Sequence, residues 1–229
     1  MLNEHGDRAR PLAGGTDLLV KARANVWELD AVVDVKNIPE LMNLTIGKNG
    51  LSIGAGVPCY QVYENSEVAD EYPGIIDGTS IIGGIQIQSR AGLGGNLCNA
   101  APSGDGIPAL IAHSAVARIA GPSGTREVAV EEFCTGPSRR ALKPGELLVS
   151  IEVPKPATNS GAAYTRFIPR NEMDIAVVGA GVSVNISSGK FTAARVSLAS
   201  VAPTPISVPD AISALVGESV GEGPIQNAA

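Results

Sequence analysis

At 229 residues the chain has room for one large domain or two small ones, and 44% hydrophobic against 17% charged residues is the composition of a folded protein, not a disordered one. Aromatic residues are only 3%, so the core must be built from Val, Ile, Leu and Ala. Seventeen basic and twenty-three acidic residues leave a net charge of −6, and no basic cluster is longer than Ser138-Arg139-Arg140, which argues against nucleic acid or an anionic membrane as a partner.

The N-terminal MLNEHGDRAR is charged from its fourth residue, and no apolar run approaches the roughly 18 residues of a membrane span, so a cytoplasmic location is expected. The three cysteines, Cys59, Cys98 and Cys134, stand singly; neither a disulfide framework nor a CxxC-type metal cluster is indicated. Two histidines, His5 and His113, leave little material for a Ser-His-Asp triad or a His-rich metal site. No catalytic side chain and no metal ligand is singled out, and any redox chemistry is expected to come from a cofactor.

In chain order, residues 1–9 read as the last turns of a helix closed by Gly6, and RPLAGG as a short strand running into a turn. TDLLVKARAN has helical spacing, with Thr16 or Asp17 as its cap. DAVVDVKN reads as a buried strand. LTIGKNGLSIGAGV is two β-rich runs around Lys48-Asn49-Gly50, where the Asn-Gly pair is a strong hairpin signal. Tyr60 to Ile82 turns helical. After a glycine-rich stretch at Gly92 to Gly106, IPALIAHSAVA is helical, with His113 as a partly exposed helix residue.

ARIAGPSGTREVAV predicts a hairpin around Gly121-Pro122-Ser123-Gly124. Glu131 and Glu132 follow on what reads as a strand, where neighbours point to opposite faces and cannot form an acid pair. ELLVSIEVP, AVVGAGVSVNIS and FTAARVSLASVAP are strand-like, with a linker or long loop near 154–161 marked by Pro154 and Pro156. A short amphipathic helix at Asp210–Val216 precedes a glycine-rich end. A mixed start followed by runs of strands predicts α+β layers, not a doubly wound sheet. Both ends look unfinished, because a helix cannot pack from its last turn alone.

Three Gly-Gly pairs occur, Gly14-Gly15, Gly83-Gly84 and Gly94-Gly95. AGGTDL and LGGNLC share more than glycine: each has an apolar residue, Gly-Gly, a polar residue and a return to apolar sequence. Without Cβ atoms such glycines let backbone N–H groups surround an anion, the Thr or Asn adds a donor, and a following helix contributes its N-terminal dipole. Two such loops could pinch one pyrophosphate from both sides; tight strand-to-helix turns are the alternative. GDGIPA, Gly104 to Ala109, fits G-x-G-x-x-A, but no strand precedes it, so the dinucleotide fingerprint lacks its mechanism. Asp105 is then a helix cap or a polar contact to a ligand.

The blocks PLAGGTDLLVKAR, IGGIQIQSRAGLGGNLCNAAPSGD, LKPGELLVSIEVP and YTRFIPRNEMDIAVVGAGV, in this order, resemble the FAD-binding medium subunit of the molybdenum hydroxylases, the xanthine dehydrogenase and carbon monoxide dehydrogenase family. The resemblance runs from about Arg8 to Pro205. It implies a PCMH-type FAD-binding fold over residues 1–157, in two α/β subdomains split near 45–60, and a partial C-terminal domain with an antiparallel sheet over 158–229.

It further implies that Leu12, Ala13, Gly14, Gly15, Thr16, Asp17 and Leu18, with Gly92, Leu93, Gly94, Gly95 and Asn96, hold the FAD pyrophosphate. Ile82 and Leu148 would lie against the flavin or adenine, Asp105 would bond the ribityl or ring region, and Arg166 would occupy a basic position beside the cofactor. The family usually has Thr or Ser where this chain has Gly92, which removes one hydroxyl donor. Family members also carry one more strand and helix before EHGDRARPLAGG and a helical segment after VAPTPI.

By that resemblance the chain passes electrons from 2Fe-2S clusters on a small subunit through FAD to NAD, a quinone or oxygen, while a large subunit carries the molybdopterin. A stand-alone FAD oxidase or reductase, and a truncated flavoprotein that only binds partners, are the alternatives.

Overall fold

A computed structural model describes residues 1–171 and 173–229. Helix α1 (Leu2–His5) ends where Gly6 turns to φ +52, and a 3-10 turn leads into strand β1 (Ala9–Leu12). Helix α2 (Leu18–Arg23) returns the chain to β2 (Ala31–Asp34), which pairs parallel with β1 as a two-stranded sheet. The strand expected to be buried is therefore half exposed, with Val32 at 44%, because so small a sheet is not covered on both sides.

β3 (Leu44–Gly47) and β4 (Gly50–Gly54) form the expected hairpin, but Gly47 pairs with Gly50, so Lys48 and Asn49 are the loop residues and Gly50 opens the returning strand. Helices α3 (Cys59–Tyr63), α4 (Ser66–Glu71) and α5 (Pro73–Ser80) follow, α4 capped by Asn65, whose side chain accepts from the Val68 N–H at 3.1 Å. After α6 (Leu93–Asn99) and α7 (Gly106–Ala112), strands β5 (Val116–Gly121) and β6 (Gly124–Ala129) make the second predicted hairpin, with Gly121 opposite Gly124.

Glu131 and Glu132 lie on a helical turn, α8 (Val130–Phe133), and not on a strand. Val130 and Phe133, three residues apart, are both buried, and that spacing buries one side of a helix. The short pair β7 (Cys134–Gly136) and β8 (Arg139–Arg140) precedes β9 (Leu147–Pro154), which enters the middle of the main antiparallel sheet in the order β3-β4-β9-β5-β6.

The expected loop near 154–161 shrinks to residues 155–159, since β9 runs to Pro154 and β10 (Ser160–Phe167) starts directly after. β11 (Val178–Ser187), β12 (Lys190–Ala199) and β13 (Ile206–Ser207) complete a four-stranded antiparallel sheet. Helix α9 (Pro209–Leu215) matches the amphipathic segment. The glycine-rich end holds a further helix, α10 (Glu222–Ala228), whose Ala228 packs against the small cluster of Phe191, Ala194 and Leu215. The architecture is α+β.

One apolar core lies between the main sheet and helices α3 to α7, with Leu51, Ile53, Ile119 and Ile151 from the strands against Val62, Ile75, Leu97 and Leu110. Burying each such side chain contributes about 1.5–3 kcal/mol. Every residue of α7 is buried. Its other side meets the four-stranded sheet, where Ser183 Oγ donates to the Ala112 carbonyl at 2.6 Å and Arg195 Nε to the Ile111 carbonyl at 2.9 Å. These carbonyls, left over at the helix end, are thus satisfied from β11 and β12. In β12 a register shift opposite Asn185 and Ile186 puts Phe191 on the face of Ala194 and Val196, under α9, while Arg195 stays on the α7 face.

His113 closes α7 at its C-cap beside Tyr72, and its Nε2 is buried without a hydrogen-bond partner among the described residues. Burial pushes its pKa from 6.5 down to about 4. Below pH 6.5 the unfolded chain takes up a proton that the folded chain refuses until about pH 4, so the folded state loses stability across that window as pH falls. His113→Gln removes this proton uptake. Thermal unfolding at pH 7 and pH 5 is expected to show a drop for the parent that is smaller for the variant, by on the order of 1–2 kcal/mol.

Candidate functional site

β1 ends at Leu12 and the chain turns through Gly14 and Gly15 into α2. A Cβ on Gly14 would overlap the Arg90 carbonyl, and Gly15 has φ +78, so close approach fixes the first glycine and backbone conformation the second. Among the described residues no backbone carbonyl accepts from the amides of Gly14, Gly15 or Thr16.

Gly94 and Gly95 are not a loop ahead of a helix; they form the first turn of α6, with Gly92 at its N-cap. The first backbone bond of α6 runs from the Asn96 N–H to the Gly92 carbonyl at 2.9 Å, which leaves the amides of Leu93, Gly94 and Gly95 without a helical acceptor. A Cβ on Gly92 would meet the Val57 carbonyl and one on Gly94 the Ala55 carbonyl, whereas one on Gly95 would meet nothing within 4 Å. The hydroxyl residue that the family resemblance leads one to expect at position 92 does not fit this backbone, since its Cβ would fall on the Val57 carbonyl.

Asp17 stands at the N-cap of α2 but its side chain does not cap the helix. Its Oδ1 accepts from Asn99 Nδ2 at 3.1 Å, while Asn99 Oδ1 accepts from Lys21 Nζ at 2.6 Å. The chain Asp17–Asn99–Lys21 thus ties α2 to α6 and sets the spacing of the two glycine turns. Both helices are under two turns long, so local N–H groups, not a helix dipole, dominate there.

The two turns face one cleft of about 440 Å³. Its wall includes Ala13, Gly14, Gly15, Thr16, Asp17 and Leu18 on one side, and Gly92, Gly94, Gly95 and Asn96 on the other, with Ile82, Asp105 and Leu148 further along. Three expected residues are not part of the wall. Leu93 lies in the core at 1% exposure, Leu12 sits beneath Gly15, and Arg166 stands behind Asp105. Asn96 Oδ1 accepts from the Gly106 N–H at 3.3 Å, which leaves its NH₂ group for the cleft.

Asp105 precedes α7 without capping it. Its carboxylate accepts from the Tyr164 hydroxyl at 2.9 Å and from Arg166 Nη1 at 2.7 Å. Arg166 and Asp105 side chains are 8% and 11% exposed, so this is a buried ion pair linking β10 to the cleft. Burial pushes the Asp105 carboxyl up, against the Tyr164 hydrogen bond and the Arg166 charge, which pull it down. Burial, then the Asp105 charge, pushes the Tyr164 hydroxyl up.

The sequence reading passed over several residues of the wall. Arg10, Lys21, Trp27, Arg90 and Arg140 line it, and so do Met173, Asp174 and Ile175 from the segment after β10. Trp27 was signalled only by being the single tryptophan; the basic residues are scattered through the chain and form no run. Gly83 also lines the cleft, with φ +61. Among the described residues no His, Cys, Asp and Glu group could hold a metal, and no helix is long and apolar enough to cross a membrane.

Residues 1–156 match the model of the family described as the FAD binding domain in molybdopterin dehydrogenase, and residues 163–229 match that of the CO dehydrogenase flavoprotein C-terminal domain. The chain belongs to this family of FAD-binding molybdopterin dehydrogenase subunits. The xanthine dehydrogenase FAD-binding subunit of Escherichia coli O157:H7 is 33% identical over 201 residues, 87% of this chain and 69% of that protein. The carbon monoxide dehydrogenase medium chain of Afipia carboxidovorans is 31% identical over 229 residues, 100% of this chain and 79% of that one.

Among solved structures, carbon monoxide dehydrogenase from Hydrogenophaga pseudoflava matches with a TM-score of 0.94 at 29% identity, over 99% of this chain and 79% of that chain. Quinoline 2-oxidoreductase from Pseudomonas putida 86 matches with a TM-score of 0.89 at 27% identity, over 98% and 78%. The chain is thus an oxidoreductase subunit whose cofactor is FAD. The cleft fits that cofactor: amides without backbone acceptors on two facing turns suit a diphosphate, and the open space at Gly95 leaves room for it.

Removing Arg166 strands the Asp105 charge in a buried setting. Arg166→Met is expected to destabilise the fold by about 3–5 kcal/mol, and Asp105→Asn combined with it by less than the single change. Chemical denaturation of the single and double variants checks this ordering.

Proposed function

We propose that the diphosphate of FAD lies between Gly14–Thr16 and Gly94–Asn96, with the flavin ring toward Ile82, Asp105 and Leu148. The observation that carries this reading is the pair of glycine turns facing one cleft with unspent amides. FAD supplies a redox centre that accepts electrons and hands them on singly or in pairs. The residues of this chain bind and orient it, exclude water along Ile82 and Leu148, and hold Asp105 at a set place through Tyr164 and Arg166. No side chain here has a proton-transfer role in the proposal.

In this reading the chain is the flavin station of a cytoplasmic molybdenum hydroxylase. Electrons arrive from 2Fe-2S clusters on a small subunit, the molybdopterin resides on a large subunit, and NAD, a quinone or oxygen takes the electrons away. The relatives named as subunits or chains of xanthine and carbon monoxide dehydrogenases support it. The proposal includes the division into an FAD-binding part, 1–157, and a C-terminal part, 158–229. Binding is non-covalent: Cys98 is the cysteine on the cleft wall, and burial pushes its thiol up to about 12, which keeps it protonated and unreactive.

Two measurements test the reading. Acid precipitation of the yellow protein is expected to release all flavin into solution; flavin kept in the pellet, or a protein that stays colourless after reconstitution, contradicts it. FAD titration of Gly95→Val is expected to show about ten- to hundredfold weaker binding, the loss of one charge-assisted hydrogen bond, with apoprotein stability nearly unchanged because a Cβ there meets nothing. Gly15→Val is expected to lose both affinity and stability, since its φ of +78 strains any branched residue. Gly83→Val is expected to lose stability by the same strain, since Gly83 has φ +61.

A further inference from the structure

The chain carries a net charge of −6, yet its cleft is lined by four basic side chains, Arg10, Lys21, Arg90 and Arg140, against Asp17, Asp105 and Asp174. Two of these carboxylates are already neutralised from outside the wall, Asp105 by Arg166 and Asp174 by Arg170. Asp17 is engaged with the Asn99 amide. Among the described residues the cleft therefore holds an excess of positive charge in an acidic protein.

Arg10 and Lys21 stand out within that excess. The Arg10 guanidinium lies 5.2 Å from the centre of the Trp27 ring and the Lys21 ammonium 5.1 Å from the same centre. Two like charges are thus held against one indole on the cleft wall, beside the Gly14-Gly15 turn. Among the described residues the one carboxylate paired with Arg10 is Asp7, at 3.5 Å and fully exposed at 103%, so water screens it. Lys21 donates to the neutral Asn99 oxygen, and no carboxylate pairs with it among the described residues. A ring face offsets part of the repulsion between the two cations, and an anion bound in the cleft would offset more.

We infer that Arg10 and Lys21, positioned by Trp27, form a cationic subsite that supplies the counter-charge for the FAD diphosphate, completing a site whose hydrogen bonds come from the glycine amides. The inference rests on the FAD reading above. It assigns Trp27 as a positioning residue that acts through the two cations.

The test compares FAD with riboflavin, which has the ring and no phosphate, by flavin fluorescence titration of the apoprotein at low and high salt. Arg10→Met and Lys21→Met are each expected to weaken FAD about tenfold, to flatten the salt dependence of FAD binding, and to leave riboflavin affinity unchanged. Trp27→Leu is expected to behave likewise and Trp27→Phe to keep most of the affinity. Inorganic pyrophosphate is expected to shift the emission of Trp27, the chain's one tryptophan, in the parent and not in Arg10→Met.

Thermal unfolding of the apoproteins separates misfolding from lost charge. FAD binding within twofold of the parent in both Met variants overturns the inference, and so does a parallel fall in riboflavin affinity. A parent that binds no FAD overturns the underlying reading instead.

Discussion

A helix with no exposed residue must have its leftover polar groups served by its neighbours, and α7 imposes that demand on everything around it. Its last carbonyls are taken by Ser183 and Arg195 from the four-stranded sheet, and the Gly106 amide near its start by Asn96 from α6. Just ahead of it, Asp105 is held by Tyr164 and Arg166 from β10. An unserved buried group costs about 1–3 kcal/mol, so these bonds fix how the second sheet sits on the first half of the chain. The same bonds place Asp105 on the cleft wall, which makes the packing of α7 and the geometry of the site one problem.

The cleft itself is built from backbone touching backbone. Gly14 lies on the Arg90 carbonyl, Gly92 on that of Val57 and Gly94 on that of Ala55. These glycines exist for approach between protein segments, while Gly95 alone among them faces open space. The distinction matters for function. Three positions set the shape of the amide lining, and one presents it to a ligand.

Cationic side chains add to what hydrogen-bond donors alone supply to a dianion in a protein of net negative charge. The side chains of Arg10 and Lys21 bring cations to the same cleft without forming a basic run in the sequence, each standing near the Trp27 ring on the cleft wall. The acidic exterior and the cationic cleft favour an anionic cofactor inside and disfavour polyanions outside.

Periodicity and turn chemistry are local, and what depends on them was legible in the sequence. The hairpin at Gly121–Gly124, the α9 helix, the α+β class and the two glycine turns could all be read there, and the ordered blocks around those turns carried the family. Elements decided by neighbours could not be read. α8 replaces a strand because Val130 and Phe133 find a core on one side, β2 is half exposed because its sheet stops at two strands, and α10 packs along α9 with Ala228 against the small second core. For the site, sequence placed Gly14, Gly15, Gly94 and Gly95, since a missing Cβ is visible in the letter itself. Only tertiary structure moved Arg166 behind Asp105 and set Trp27, Arg10 and Lys21 together. Charge neighbours across a cleft are chosen by packing between segments far apart in the chain, and no local pattern records them.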